Sequence, residues 1–164
     1  MEGKTREEIL RLLEANARYT AKDIAAMLGM EEEEVKNEIE AMERERVICG
    51  YHALVDWDKT DDEKISALVE LKVTPQRGDG FERIAEKIYQ YPEVESLYLM
   101  SGGYDFTVIL KKATMKEIAN FVSSRLAVIE EVQSTATHIV LARYKDHGMQ
   151  LAAPKKDMRM VVTP

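Results

Sequence analysis

Between Ile65 and Tyr144 the spacing of the apolar residues changes period and changes back, then does so again in the same order. Ile65 to Val73 alternates, with Ala67, Val69 and Leu71 on one side, as a half-buried strand does. Phe81, Ile84, Ala85 and Ile88 recur at helical spacing, and Val94 to Met100 is extended again. Gly102 and Gly103 turn the chain into a second pass: Phe106 to Leu110 extended, Met115, Ile118, Ala119, Val122 and Leu126 on a helical stripe, and Val132 to Tyr144 as a long last strand. Few folds accept a strand, helix, strand unit repeated once. Right-handed crossovers place both helices on one face of a four-stranded sheet, the ferredoxin-like βαββαβ arrangement.

The opposite face of that sheet is expected to be too apolar for water. Leu68 interrupts Ser66, Glu70 and Lys72; Leu97 and Leu99 oppose Tyr98 and Met100; Ile139 and Leu141 oppose Val140 and Ala142. Aliphatic surface is therefore left over whichever face meets the helices. Surface of this kind marks contact with a partner, and the expected partner is a second copy of the chain, making a homodimer at least.

Upstream of residue 47 the apolar spacing is helical. Thr5 followed by Glu8 reads as a capping box, and Ile9, Leu12 and Leu13 predict a helix from about Arg6 to Asn16. Thr20 with Asp23 caps a second helix through Ile24, Ala25 and Leu28, and Gly29 supplies the turn after it. Glu32 to Arg46 places Val35, Ile39 and Met42 on one buried stripe, and Val47 to Val55 is a short extended stretch. Small Ala25 at a helix crossing, Gly29 at the turn and Val35 locking the third helix to the second fit a helix-turn-helix over Thr20 to Ile39. The same spacing also serves a plain helical pair; the preceding helix and the second domain favour a reader of DNA.

Charge pulls the other way. The 164 residues carry a formal −7, which argues against indiscriminate binding to nucleic acid. Residues 1–60 hold nine bases against fifteen acids, so the half assigned to DNA is the acidic one. The acidic run Asp56, Asp58, Asp61, Asp62 and Glu63 marks the division: residues 1–55 as the DNA-binding domain, 56–64 as linker, 65–146 as the sensing and oligomerisation domain, and 147–164 as a tail in which Met158 to Val162 reads as an edge strand. No apolar run approaches the roughly 18 residues that span a membrane. Met1 to Arg11 lacks the apolar core of a secretory signal, and Cys49 as sole cysteine excludes a disulfide framework, so a reducing cytoplasm is expected. His52, His138 and His147 share no metal-ligand spacing, and neither metal nor cofactor is expected.

Ile9-Leu10-Arg11-Leu12-Leu13, Ala17-Arg18-Tyr19-Thr20, Asp23-Ile24-Ala25, Leu28-Gly29 and Glu43 to Tyr51 resemble the pattern of the Lrp/AsnC (leucine-responsive, feast/famine) regulators, in which a trihelical reader ends in Leu-Glu-x-x-Gly-Val-Ile-x-x-Tyr. Gly102-Gly103-Tyr104-Asp105 resembles that family's Gly-Asp-Tyr-Asp turn, and Val132 to Val140 its final strand with paired threonines. The resemblance runs from about residue 5 to 145 and implies an α+β chain, an N-terminal winged helix-turn-helix followed by a C-terminal ferredoxin-like (RAM or ACT-like) sensing domain. It implies a sequence-specific regulator, not an enzyme, that binds double-stranded DNA, responds to an amino acid or related metabolite, and assembles as a homodimer or an octamer.

Candidate contacts follow. Arg18, Lys22, Lys36, Arg44 and Arg46, with Arg11, are expected to furnish a local basic cluster that matters more than distant charge, since screening takes hold beyond about 8 Å at physiological salt. Lys36 and Asn37 are expected at base edges, Asn suiting adenine. Gly102 and Gly103 are expected in a backbone conformation that most residues avoid, either as a plain hairpin turn or as an amide seat for a carboxylate. The resemblance implies a ligand touching Gly102, Gly103, Tyr104 and Asp105 together with Thr135 and Thr137. Two departures stand out. Glu31 to Glu34 replace the family's usual Ser-Pro-Ser-Thr opening of the reading helix, and Gly103 stands where an Asp is usual. An acidic reader leaves two other readings open: an enzyme similar to the siroheme decarboxylases that share this arrangement, or a metabolite-sensing oligomer that does not bind DNA.

Overall fold

The computed structural model describes residues 2–60, 64–75 and 80–151, so the edge strand expected at Met158 to Val162 lies outside the described residues. The chain divides into two compact units, Met1–Val55 and Asp56–Pro164, each with its own apolar core.

The first unit holds α1 (Glu2–Ala15), α2 (Ala21–Leu28) and α3 (Glu32–Arg44). Thr5 does not cap α1 as expected, because the helix has begun by Glu2 and Thr5 lies within it; Lys4, Arg6, Glu7 and Glu8 are good helix formers and carry the helix through Gly3. Thr20 does cap α2. Its hydroxyl accepts the Asp23 N–H at 3.2 Å while the Asp23 carboxylate accepts the Thr20 N–H at 2.9 Å. Gly29 ends α2 at φ +67°, a left-handed conformation that costs glycine little. Ile9, Leu13, Ile24, Ala25, Val35 and Met42 interlock where the three helices meet. Each large member contributes about 1.5–3 kcal/mol by leaving water. Arg46 closes α3 at φ +61°, and the N–H groups of Val47 and Ile48 both reach back to the Met42 carbonyl, at 2.9 and 3.1 Å. Beyond them, residues 47–55 pair with no strand among the described residues.

The second unit opens with a short 3₁₀ turn, Trp57–Lys59. Asp56 and Asp58 are not merely solvated: Arg143 lies 3.9 and 3.8 Å from them, and Lys112 lies 3.3 Å from Asp58. Then come β1 (Ile65–Val73), α4 (Glu82–Tyr89), β2 (Val94–Leu99), β3 (Phe106–Ala113), α5 (Met115–Phe121) and β4 (Val132–Ile139). The sheet is antiparallel throughout, in the order β2-β3-β1-β4, as the duplicated unit requires. Val69, Leu71, Phe106 and Val108 point to the helices and pack against Ile84, Ile88, Ile118 and Leu126. Phe81 meets Phe106 edge to face at 5.9 Å, and Tyr91 meets Phe121 likewise at 5.4 Å.

The last strand is shorter than its apolar content suggests. β4 stops at Ile139 because its partner β1 begins at Ile65; one further bond, from the Val140 N–H to the Ser66 carbonyl at 3.0 Å, ends the ladder. Residues 145–150 form a separate hairpin, β5 (Lys145–Asp146) and β6 (Met149–Gln150). Its central residues His147 and Gly148 have φ of +42° and +79°, the turn that matches strand twist.

Register sorts the face left open by the helices. Leu68 pairs with Ile109 on one side and His138 on the other, and Glu70 pairs with Thr107 and Ala136. Leu97 and Ile139 turn toward the helical side and pack against its core, so the open face is less aliphatic than alternation alone suggests. Leu68, Ile109 and Tyr98 remain there, with Glu70 beside His138 at 3.0 Å.

Candidate functional site

The acidic character of α3 is unevenly distributed. Successive residues turn by about 100° around a helix, so Glu33, Asn37, Glu40 and Arg44 lie opposite the buried Val35 and Met42, with Lys36 at their edge. That outward strip carries two acids and two bases. Lys36, Asn37 and Arg44 are all exposed, and the Lys36 ammonium stands 3.8 Å from Glu33. The remaining acids face elsewhere. Glu38 and Glu45 both accept from Arg6 on α1, each at 2.7 Å. Glu43 accepts from the Tyr51 hydroxyl at 2.8 Å, and burial together with that carboxylate pushes the Tyr51 phenol up to about 12. Glu32, Glu33 and Glu34 sit in the first turn, where the helix dipole favours them by about 0.3–1 kcal/mol each at most.

Arg18 and Lys22 are exposed at the approach to α2 and in its first turn, and Arg46 is exposed just past α3. The expected basic residues thus flank the second and third helices from both ends. Arg11 faces Glu7 at 3.7 Å. Arg6 escaped the sequence reading because its partners lie 32 and 39 residues away; the only available signal was a base on a helix with a polar outer face.

In the second unit the expected ligand residues separate into two groups. Thr135 and Thr137 pair with Leu71 and Val69, so they face the helical side of the sheet. With Met115, Ile118 and Ala119 of α5 and with Val122, Ser123 and Ala127 they line a groove of about 440 Å³. The chain after α5 widens over Val122–Leu126 into a π-type turn, and the Ser123 and Ser124 hydroxyls both donate to the Asn120 carbonyl there, at 3.2 and 2.6 Å. Single wide turns of this sort recur at binding sites. The groove is apolar apart from hydroxyls.

The turn at 101–105 belongs to β2 and β3, across β1 from that groove, about 10 Å away by strand spacing. Gly102 and Gly103 are not held there by conformation: neither has the positive φ expected, and a Cβ on either would meet open space. The turn is instead fixed by its last residue. The Asp105 N–H donates to the Leu71 carbonyl at 2.9 Å, its carboxylate accepts from the Val73 N–H at 2.9 Å and the Lys72 ammonium at 3.0 Å, and its carbonyl accepts from the Met100 N–H at 2.7 Å. The Val73 amide first, and Lys72 after it, hold the Asp105 carboxyl below the usual carboxylate range. Tyr104 is half-buried beside it.

A second polar feature lies under α4. Glu131 is almost fully buried and accepts from the Lys87 ammonium at 2.6 Å, which keeps its carboxyl low; its other oxygen has no hydrogen-bond partner among the described residues.

Both units match known protein families. Residues 66–150 match the family model of the Lrp/AsnC ligand binding domain, and residues 3–48 match that of a winged helix-turn-helix DNA-binding domain. The chain is 44% identical over 158 residues to the HTH-type transcriptional regulator YugG of Bacillus subtilis, covering 96% of this chain and 95% of that one. In fold it is similar to AsnC of E. coli, with a TM-score of 0.65 at 21% identity over 85% of this chain and 92% of that one. It is similar also to the regulator NMB0573 of Neisseria meningitidis in its L-Met complex, with a TM-score of 0.69 at 21% identity over 92% and 95% of the two chains.

Proposed function

Because the chain belongs to the Lrp/AsnC family of transcription regulators, we propose that it reads double-stranded DNA through the outward strip of α3 and couples that reading to a small metabolite bound by its second unit. The observation that carries this is the charge distribution on α3: Lys36, Asn37 and Arg44 stand exposed on the outward strip while Glu38, Glu43 and Glu45 are engaged by Arg6 and Tyr51. Asn37 and Lys36 contact base edges, and Arg18, Lys22, Arg44 and Arg46 hold phosphates. The protein acts as a regulator rather than an enzyme and works in the cytoplasm.

The effector is an amino acid or a close relative. Thr135 and Thr137 meet its polar groups while the aliphatic wall of the groove receives an apolar side chain, and the turn Gly102 to Asp105 contributes from another subunit. Gly103 lacks a carboxylate for the effector's amino group, which shifts selectivity away from ligands that depend on that contact. The open sheet face pairs two copies, and dimers close into larger rings such as an octamer. Linkage follows if the effector binds one assembly better than another.

A fluorescence-anisotropy titration on DNA from upstream of its own coding sequence, repeated across salt concentrations, tests the reading. Four phosphate contacts per subunit predict a slope of log K against log salt shallower than about 4 for each subunit bound. Failure to retain that DNA at low salt overturns the proposal. Thermal-shift screening with the amino acids, then sizing with and without the best stabiliser, tests the coupling; an effector that alters neither assembly nor DNA affinity removes it.

A further inference from the structure

Arg6 stands on α1 and is not among the residues assigned to DNA; its whole guanidinium is turned onto α3 and the residue that caps its end. Its Nε donates to Glu38 at 2.7 Å, and its Nη1 and Nη2 donate to the two oxygens of Glu45 at 2.7 and 3.2 Å. Glu38 and Glu45 are seven residues apart, two turns along one flank of the helix. A planar fork can hold two carboxylates at fixed angles in this way, whereas a lysine, with one point charge, could not. The pair of acids is partly shielded, with side chains 33% and 51% exposed.

That flank adjoins the outward strip. By the helical turn of about 100° per residue, Glu38 and Glu45 lie roughly a quarter turn from Asn37. Released from Arg6, their flexible carboxylates would sweep the space beside the strip, within the roughly 8 Å over which charges still act at physiological salt. Glu34 already stands exposed on that flank, about 60° from Asn37, and two further uncovered carboxylates would make the surface that DNA meets strongly negative.

We propose, resting on the reading that α3 meets DNA, that Arg6 is a positioning residue for recognition: it pins Glu38 and Glu45 to α1 and so keeps two of the helix's carboxylates away from the phosphates. An acidic helix thereby presents a reading face with two fewer free acids beside it. Arg6 itself touches no base and no phosphate.

The test is the same anisotropy titration on the upstream duplex with the full chain and three variants. Arg6→Gln uncovers both acids and weakens binding roughly fivefold at low salt, the loss fading as salt screens it. Arg6→Gln with Glu38→Gln and Glu45→Gln lacks the bridge as well as the charges, and its affinity returns to that of the unsubstituted chain. Glu38→Gln with Glu45→Gln, retaining Arg6, binds more tightly than the unsubstituted chain and keeps the proposal testable if Arg6→Gln does not fold. A bridge that merely braces the helix gives the opposite pattern: the triple variant stays as weak as Arg6→Gln and the double variant weakens, and either result overturns the proposal. Equal affinity of Arg6→Gln and the unsubstituted chain also overturns it. No binding by the unsubstituted chain instead overturns the DNA reading on which it rests.

Discussion

Arg46 closes α3 at φ +61°, where a side chain crowds its own backbone and glycine does not. The related regulators' pattern has glycine at this point, yet here the position carries an exposed cation. Replacing it separates two roles. Arg46→Gly relieves the left-handed strain and, after the extra freedom glycine gains when unfolded, stabilises the first unit by about 0.5–1 kcal/mol. It also removes the proposed phosphate contact, so DNA affinity is expected to fall while the urea midpoint rises. A midpoint that falls instead shows that the Arg46 side chain makes a stabilising contact that outweighs its backbone cost. At this scale the sequence was readable where a residue's role is local, as in the Thr20 and Asp23 cap, and unreadable where it depends on distant partners, as with Arg6. The glycine pair at 102 and 103 misled for a related reason: glycine marks freedom, and freedom is not evidence of a left-handed turn.

Between elements, the turn joining β2 and β3 is held to β1 by one residue, Asp105, through its amide and its carboxylate. Removing its carboxylate in Asp105→Ala leaves the Val73 N–H and the Lys72 ammonium without a partner and costs about 1–3 kcal/mol at neutral pH. Because the folded carboxyl is depressed, its contribution is full above the unfolded value near 4 and is lost as pH falls through the lower folded value. The stability gap between Asp105→Ala and the unsubstituted chain therefore narrows in acid, measurable by urea unfolding at pH 7 and pH 3; a gap that widens in acid would contradict this origin. Element order and the buried stripes of α2, α3, α4 and β1 were legible because each follows from apolar spacing within one segment. The end of β4 was not, since it is set by where β1 begins, and neither was the hairpin at residues 145–150, whose two short strands carry no periodic signal.

For the whole molecule, the proposed assembly rests on the open sheet face. Leu68 sits at its middle, between Ile109 and His138. Leu68→Lys places a charge there without entering either core, so the fold should persist by circular dichroism while sedimentation velocity at micromolar concentration shifts from dimer toward monomer. An unchanged sedimentation coefficient, equal to that of a dimeric unsubstituted chain, assigns the interface elsewhere.

Trp57 is the chain's single tryptophan, 44% exposed in the turn that opens the second unit, flanked by the two aspartates that answer Arg143 and Lys112. Its indole emission is consequently a label-free optical gauge of that junction: excitation near 295 nm reads one site only, and a colour shift on adding an effector or a duplex reports rearrangement there without any dye.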